Sequence, residues 1–266
     1  MLIGLVYLPA QTPTFIHRDF SPHFEAREVT GSITLYHLES NTWISSDQED
    51  WRIATLPAST FKVVNSLIAL ETQVIPDENE VLPYHGHDTT LYGVRKDIRH
   101  DMDLKEALER SVVWYYLVLA ERIGCERYQD ILGKLPYGNG KIDCAETDFW
   151  NFGEFAVTPV EQISLLVRLY RETLPFAKEH QQTLKRILLN KGYEGFEVRA
   201  KTGWTFVDKV SIGWWIGYVT IEGEHWFYAT RLRKPEAETT WDFARHRKEV
   251  TLDVLWELEV LPKEAE

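Results

Sequence analysis

The sequence contains no apolar run long enough to cross a membrane. A spanning helix needs about 18 consecutive apolar residues, and no stretch of the 266-residue chain approaches that length. The apolar run at positions 1–10 is short and has no basic residues before it. It resembles the end of a secretion signal whose start is missing, with cleavage near Ala10, and an N-terminal strand or tail explains it equally well.

Positive charge is also scarce. The chain has 29 Lys and Arg residues against 41 Asp and Glu residues, so its formal net charge is −12. Binding to nucleic acid requires a basic surface, because the phosphate backbone supplies most of the affinity. We therefore expect no nucleic-acid partner.

Cysteines and clustered metal ligands are equally rare. The two cysteines, Cys125 and Cys144, form no Cys-x-x-Cys pair, and the sequence leaves open whether they are free or disulfide-bonded. His85, His87 and Asp88 are close in sequence, but their spacing matches no metal-binding pattern and no further ligand is nearby. A solvated loop explains them better, so we predict no metal site.

Aromatic residues, by contrast, are abundant. The chain has 10 Trp, 12 Tyr and 12 Phe residues and is 44% hydrophobic. This composition indicates a globular protein with a large aromatic core or an aromatic-lined cleft. At this length the chain forms either one large domain or two small ones.

Strand patterns occupy both ends of the chain and helix patterns its middle. Alternating apolar and polar residues predict strands over 31–38, 42–44, 196–203, 210–221 and 226–230. Helical periodicity and capping signals predict helices over 14–27, 58–72, 104–123, 124–135, 158–170, 178–190 and 240–258, with loops at 73–103 and 148–153. This order predicts an antiparallel sheet built from both chain ends, packed against terminal helices, with a helical region inserted.

The helix predicted over 58–72 carries the first candidate chemistry. Pro57 and Ser59 suit a helix start, and most following positions are apolar, as in a helix buried inside a domain. Lys62 follows Ser59 by three residues, so the two side chains share a face. Because burial disfavours the ammonium form of lysine, the pair can act as nucleophile and base. The alternative is a serine N-cap followed by a lysine that extends its amine into solvent.

Two further motifs follow in a suggestive order. Ser111-Val112-Val113 lies in the middle of the chain, and Lys201-Thr202-Gly203 lies on a predicted strand. A Ser-x-x-Lys motif, a second serine-containing triplet and Lys-Thr-Gly occur in serine β-lactamases and penicillin-binding proteins. The whole set resembles the class D, or oxacillinase-type, serine β-lactamases over about residues 30–256, and its other members are Tyr137-Gly138-Asn139, Phe149-Trp150 and Gly213-Trp214-Trp215-Ile216-Gly217.

The resemblance implies an α/β (α+β) fold of the β-lactamase and transpeptidase type. The sheet-containing region would comprise residues 1–57 and 193–266, and the helical region residues 58–192, together forming one compact catalytic unit. The implied activity is hydrolysis of a small-molecule β-lactam through an acyl-serine. A monomer or homodimer without metal or bound cofactor would perform it, in the periplasm or outside the cell.

The resemblance also assigns roles to the motif residues. Ser59 would be the nucleophile, and Lys62, carboxylated by CO2, would be the general base of both acylation and deacylation. The indole N–H of Trp150 would donate to the carbamate. Ser111 would relay a proton to the lactam nitrogen, and Lys201 would bind the substrate carboxylate and polarise Ser111.

Further substrate contacts are implied around Lys201. Arg247 matches the family's arginine on the last helix, and Arg245 is the alternative. The backbone N–H groups of Ser59 and Trp204 would form the oxyanion hole. The remaining residues expected to contact substrate are Val113, Thr202 and Gly203.

Asn151 departs from the family pattern, in which an apolar residue follows the tryptophan. Its polar amide would admit water beside the carbamate and make carboxylation less secure, unless it bonds the carbamate instead. Two alternative functions acylate without efficient turnover. A β-lactam sensor normally comes attached to membrane spans, and a D,D-peptidase favours Ser-x-Asn in its middle motif.

Overall fold

A computed structural model describes residues 12–86 and 95–262. The apolar run at positions 1–10, His87 and Asp88 lie outside the described residues. The strands are β1 Thr14–His17, β2 Thr30–His37, β3 Thr42–Ser45, β4 Leu189–Asn190, β5 Glu197–Val207, β6 Val210–Ile221 and β7 Glu224–Pro235. The helices are α1 Ser21–Glu25, α2 Lys62–Glu71, α3 Leu104–Glu109, α4 Val113–Ile123, α5 Cys125–Gly133, α6 Phe149–Phe152, α7 Pro159–Tyr170, α8 Lys178–Ile187 and α9 Asp242–Glu257.

The strands of the described residues form one mixed sheet in the order β1-β3-β2-β7-β6-β5-β4. Every neighbouring pair is antiparallel except β1 and β3, which are parallel. Strand β2, near the start of the chain, pairs with β7, near its end, so that Thr30 lies opposite Arg233. The prediction of a sheet built from both chain ends is therefore confirmed, with one parallel pair added at its edge.

Helices cover both faces of the sheet. The apolar cluster on one face contains Phe24 of α1, Phe20 just before that helix, and Phe243 and Val250 of α9. Helix α7 packs against the other face, because its periodicity turns Ile163 and Leu166 toward the sheet. The predicted packing of terminal helices on the sheet is confirmed.

A third apolar cluster fills the helical region, and its buried members all lie between Phe61 and Leu188. Helix α2 runs through it and is buried from Lys62 to Leu70, as its apolar sequence predicted. The division into residues 1–57 with 193–266 and residues 58–192 stays a prediction, because Ile163 and Leu166 of the second range pack in a cluster with the sheet. Within residues 12–86 and 95–262, no helix combines the length and apolarity that a bilayer crossing requires.

The structure differs from the predicted elements at several places. The loop predicted over 148–153 contains the one-turn helix α6, Phe149–Phe152. The helix predicted over 14–27 is wrong for its first half, because Thr14–His17 form an exposed strand beside β3 and only Ser21–Glu25 are helical. The helix predicted over 104–123 is interrupted between Glu109 and Val113. The last turn of the helix predicted over 178–190 is instead the short strand Leu189–Asn190.

Candidate active site

The candidate nucleophile lies on a tight 3-10 turn, Ala58–Phe61, that leads directly into α2. Ala58, just before Ser59, has φ +51°, a left-handed conformation that an alanine adopts only under constraint from its surroundings. Thr60 supplies part of that constraint: its hydroxyl donates to the Pro57 carbonyl at 2.7 Å and accepts from the Gln162 amide at 2.8 Å. The turn therefore holds the partly buried Ser59 in a fixed position.

Lys62 contacts Ser59 directly. Its Nζ lies 2.7 Å from Ser59 Oγ, and the residue is 0% exposed. Burial lowers the pKa of Lys62 from 10.5 to about 8, although the carboxylate of Asp148 acts in the opposite direction. The alternative of a lysine reaching into solvent is wrong, because the residue is fully buried. The lowered pKa leaves a minor part of the amine neutral near neutral pH.

Trp150 has an unsatisfied donor, its indole N–H, where the resemblance implies a donor to the carbamate. Its ring stacks on Phe61 with a centroid separation of 5.1 Å and an interplanar angle of 15°. Its Nε1 is buried, and no acceptor among the described residues lies within hydrogen-bonding distance. A buried N–H without a partner costs about 1–3 kcal/mol, so this indole is suited to a ligand or a modified side chain.

Asn151 is buried rather than open to water. It is 1% exposed, and its amide nitrogen donates to Asp148 at 2.6 Å, while its backbone carbonyl accepts from the Thr205 hydroxyl at 2.8 Å. The amide therefore has a protein partner and needs no solvent. The charged group in this neighbourhood is Asp148, which accepts the hydrogen bond from Asn151 and also acts on Lys62.

Ser111 occupies the break between α3 and α4. Its φ is +56°, which a helix interior does not permit, and this is the physical reason why the predicted continuous helix divides. Its hydroxyl accepts from Lys201 Nζ at 2.9 Å. The left-handed turn at Ser111 thus brings the Ser-Val-Val motif into contact with Lys201 of the Lys-Thr-Gly motif. Val113 begins α4 and is partly buried.

Strand β5 brings the Lys-Thr-Gly motif to the nucleophile turn. Lys201, Thr202 and Gly203 pair with Ile216, Trp215 and Trp214 of β6. Gly203 lies so close to the turn that a Cβ on it would approach the Pro57 carbonyl oxygen to 2.8 Å. Glycine is required here by close approach of two backbones, and the resulting contact places β5 beside Ser59.

Lys201 is itself buried, at 5% exposure, and donates to the Thr202 carbonyl as well as to Ser111. Burial lowers the pKa of Lys201 well below its usual value, and the neighbouring positive charges of Lys62 and Arg247 lower it further. An ammonium in this position gains from any anion that enters the site. A polar cavity of about 260 Å³ is lined by Lys201, Thr202 and Lys248, among others.

The structure distinguishes the two candidate arginines. Arg247 is 8% exposed and donates to the Gly203 carbonyl at 2.5 Å, so it lies against the Lys-Thr-Gly strand. Burial lowers its pKa to about 10, and its Nε has no partner among the described residues. Arg245 is 65% exposed and pairs with Asp242 and Glu249 on the surface of α9.

An apolar cavity lies beside strand β5, and Trp204 forms part of its lining. The cavity has a volume of about 340 Å³ and is lined by Phe152, Trp204, Phe206 and Trp241, among others. Trp204 packs edge-on against Trp241 at a centroid separation of 5.7 Å. The predicted aromatic-lined cleft therefore has a counterpart next to β5.

Sequence reasoning missed several supporting residues. Gln162 bridges Thr60 to the Tyr137 hydroxyl, and Tyr116 places its ring 5.1 Å from Lys62 Nζ. Gln162 could have been singled out, because it is a polar residue among the inward positions of α7. Its bridging of Thr60 to Tyr137 could not be predicted, because those residues lie 102 and 25 positions away from it along the chain. Apart from its charge, nothing in the sequence marked Asp148 as a residue that influences Lys62.

Comparison with known proteins agrees with this geometry. Residues 39–250 match the family model described as penicillin binding protein transpeptidase domain. The chain is 30% identical over 246 residues to β-lactamase OXA-48 of Klebsiella pneumoniae, covering 92% of this chain and 90% of that protein. It is 32% identical over 213 residues to β-lactamase OXA-10 of Pseudomonas aeruginosa, covering 79% of each chain.

Solved structures extend the similarity to the fold. A class D β-lactamase from Sebaldella termitidis superposes with a TM-score of 0.88 at 31% identity, covering 94% of this chain and all of that one. FUS-1 (OXA-85), a class D β-lactamase from Fusobacterium nucleatum subsp. polymorphum, superposes with a TM-score of 0.83 at 27% identity, covering 91% and 98% of the two chains.

Proposed function

The chain belongs to the class D serine β-lactamases and hydrolyses β-lactams through an acyl-serine intermediate, and from that premise we propose which residues carry each step. Ser59 is the nucleophile, and Lys62 is the general base in its carboxylated form. The observation that carries the proposal is the fully buried Lys62 amine, 2.7 Å from Ser59 Oγ. Its pKa of about 8 leaves part of the amine neutral.

The surroundings of Lys62 fit a carbamate. Formation of a carbamate requires a neutral amine and donors for the new oxygens, and the buried, unpartnered Nε1 of Trp150 is such a donor. When present, the carbamate supplies a carboxylate that accepts a proton from Ser59 and later from the hydrolytic water. The rings of Phe61, Trp150 and Tyr116 pack around this part of the site and limit the access of water.

Ser111 and Lys201 act on the leaving-group side. Lys201 Nζ donates to Ser111 Oγ at 2.9 Å, which leaves the serine proton free to move to the lactam nitrogen as the ring opens. The substrate carboxylate then neutralises a lysine whose burial makes an unpaired charge costly. Thr202, Gly203 and Val113 complete the wall on this side of the substrate.

The carbonyl side of the substrate faces two backbone donors. We assign the oxyanion hole to the N–H groups of Ser59 and Trp204, because Gly203 brings β5 against the Pro57 carbonyl and so sets the two chains side by side. Arg247 lies behind Gly203 and adds positive charge for the substrate carboxylate.

A location outside the cytoplasm is part of the proposal. Cys125 and Cys144 are disulfide-bonded, with Cα atoms 5.4 Å apart, which answers the question that the sequence left open. Structural disulfides persist in oxidising compartments such as the periplasm. We propose a periplasmic or secreted enzyme, active as a monomer or homodimer.

Two measurements test the proposal. With a chromogenic cephalosporin, sustained turnover is expected, whereas a single stoichiometric burst would indicate a sensor. Growth of a carbamate carbon signal in the NMR spectrum is expected after addition of ¹³C-bicarbonate, with its loss in Lys62→Ala. Turnover without that signal, and without any response to bicarbonate, would overturn the carbamate while leaving the acyl-serine mechanism in place.

A further inference from the structure

The disulfide between Cys125 and Cys144 lies close in sequence to two groups of the candidate site. Cys125 is the first residue of α5, and Cys144 lies in the largely exposed segment 140–147. Asp148 and Trp150 come directly after this segment, within six residues of Cys144. The crosslink is therefore placed to affect both the carboxylate that acts on Lys62 and the indole that faces it.

Segment 140–147 has few other attachments to the rest of the protein. The backbone N–H groups of Ala145 and Glu146 donate to Asp143 inside the same segment. Among the eight positions, Ile142 alone is partly buried. Exposed backbone with few packed side chains opens locally at low free energy, so the disulfide is the main restraint that holds this segment against α5.

On the α5 side, the crosslink is attached to the helix that carries the candidate base. Tyr128 lies one turn after Cys125, is buried, and donates its hydroxyl proton to Asn65 at 2.8 Å. Asn65 lies one turn after Lys62 on α2, and both residues are 0% exposed. This buried hydrogen bond fixes α5 to α2, so the disulfide ties segment 140–147 to a rigid support.

On the other side, four aromatic rings separate the disulfide from Lys62. Phe149 packs edge-on against Phe61, Trp150 and Tyr128, with centroid separations of 5.2, 5.1 and 5.3 Å. We call Phe61, Tyr128, Phe149 and Trp150 the aromatic wall. Because Phe149 follows segment 140–147 so closely in sequence, movement of that segment acts directly on the wall.

A small cavity lies between the disulfide and the aromatic wall. Its volume is about 130 Å³, and its lining includes Cys125, Cys144, Tyr128 and Phe149. A water molecule occupies roughly 30 Å³ in the liquid, so the cavity has room for several. Without the crosslink, segment 140–147 can separate from α5, and bulk water then reaches the rear of Phe149.

We propose that the Cys125–Cys144 disulfide is a positioning element for the carboxylated base, which holds the aromatic wall closed and keeps water away from Lys62. The inference rests on the proposed function of Lys62. Burial has a larger effect on the pKa of Lys62 than Asp148 does, so wetting of the wall should raise that pKa even if Asp148 moves away. A higher pKa makes the neutral amine, and therefore the carbamate, rarer.

Removal of the crosslink tests this assignment. Cys125→Ser/Cys144→Ser and wild type should be compared at pH 7 over a series of bicarbonate concentrations, by hydrolysis and by the ¹³C carbamate signal. The variant should need roughly tenfold more bicarbonate for half-maximal activity, because one unit of pKa makes the neutral amine about tenfold rarer. At saturating bicarbonate its kcat should return to within about twofold of wild type, since only the neutral fraction of the amine has changed.

Lys141→Ala is the matched control. Lys141 belongs to the same segment, and the variant breaks only an exposed ion pair with Glu154 at 3.4 Å. Its bicarbonate requirement should equal that of wild type. An increase as large as that of the double variant would overturn the proposal, because a solvated ion pair would then matter as much as the crosslink.

Reduction of the wild type gives a second test that does not depend on the folding of a variant. Cys144 is exposed, so a water-soluble phosphine can reach the bond and cleave it to two thiols, while the phosphine takes up oxygen from water. The treated wild type should show the same increase in bicarbonate requirement. Cys125→Ser/Cys144→Ser should not respond to the reagent.

Two further results would overturn the proposal, and they differ from each other. An unchanged bicarbonate requirement after loss of the crosslink, even with a lower Tm, would mean that the disulfide only stabilises the fold. A wild type without a carbamate signal would remove the carboxylated base itself, and this inference with it.

Discussion

Two buried lysines face two serines across the candidate site, and their charges affect each other. Lys62 contacts Ser59, Lys201 contacts Ser111, and burial lowers the pKa of both lysines. Although the chain has a net charge of −12, Lys201 and Arg247 concentrate positive charge on the substrate-carboxylate side of the site. A small anionic substrate gains more from such a local field than it loses to the acidic surface.

Asp148 should control how readily Lys62 reaches its neutral form. Its charge opposes the effect of burial on the pKa of Lys62, and it would also repel a carbamate. Neutralisation by Asp148→Asn should lower that pKa below about 8, so the acidic limb of the pH–activity profile should move to lower pH. The wild type should gain activity as pH rises toward 8 and on addition of bicarbonate, and the variant should depend less on both.

The control for this prediction is Asp143→Asn, which removes an exposed carboxylate from the same loop. If both variants keep the wild-type pH profile and the wild-type response to bicarbonate, Asp148 has no influence on Lys62. The polar amide of Asn151 would then regain importance, as the sequence first suggested.

Arg247 should recognise the substrate carboxylate. Loss of a charge-assisted hydrogen bond costs about 1.5–3 kcal/mol, so Arg247→Ala should raise KM by about tenfold or more for a penicillin with a free carboxylate. Because Arg247 also supports Gly203, the same variant should be compared on the methyl ester, where the additional loss should vanish. Arg245→Ala is the surface control, and a larger effect from it would reassign the role to Arg245.

At the scale of elements, the contact between β5 and the nucleophile turn decides the geometry of the site. A Cβ at Gly203 would meet the Pro57 carbonyl oxygen at 2.8 Å, so Gly203→Ala should push β5 away from Ser59. We expect a loss of about 1–3 kcal/mol in unfolding free energy and a larger proportional loss in kcat than in substrate affinity. Gly133→Ala is the control, since nothing lies within 4 Å of its Cβ position. Equal kinetics in the two variants would contradict the argument.

The sequence predicted elements well where one periodicity dominated. Helix α7 was predicted by its capping box, and Thr158 and Glu161 do exchange the expected hydrogen bonds. The break at Ser111 could not be predicted, because its φ of +56° depends on contacts with a strand about 90 residues away. Strand β1 was missed because its four exposed residues carry no alternation, and pairing with β3 alone makes them a strand.

In the candidate site, too, local sequence patterns were predictive and features that depend on tertiary packing were not. Motif order predicted that Ser59, Lys62, Ser111 and Lys201 would meet, and the structure brings them together as two hydrogen-bonded pairs. Sequence could not tell the buried Arg247 from the exposed Arg245, because both lie on one amphipathic helix two residues apart. Their distinction depends on where α9 packs on the sheet.

Across the whole molecule, a buried ion network ties the early strands to the late ones. Asp50 accepts hydrogen bonds from Arg231 and Arg233 of β7 and from Ser32 of β2. Burial alone would raise the pKa of Asp50, but Arg231 and these hydrogen bonds outweigh it and hold the pKa below its usual value. The network therefore stabilises the fold above the pKa of an unfolded aspartate, about 3.9, and this stabilisation is lost as pH falls through the lower folded-state value.

Removal of the Asp50 charge should destabilise the folded protein. Asp50→Asn removes the carboxylate that pairs with the buried Arg231, which should lower the unfolding free energy by about 3–5 kcal/mol at neutral pH, measured by urea denaturation. Glu197→Gln, which breaks an exposed ion pair with Arg199, should cost no more than about 1 kcal/mol. A loss no greater for Asp50→Asn than for Glu197→Gln would show that the network contributes little.

The pairing of β2 with β7 also sets the order in which a newly made chain can fold. Thr30 is synthesised early, yet its partner Arg233 appears 203 residues later. Local helices and the β5–β6 hairpin can form while synthesis continues, but the centre of the sheet must wait until β7 has been synthesised. Because such long-range pairing loses loop-closure entropy before it gains contacts, we expect slow refolding, with sheet closure as the late step.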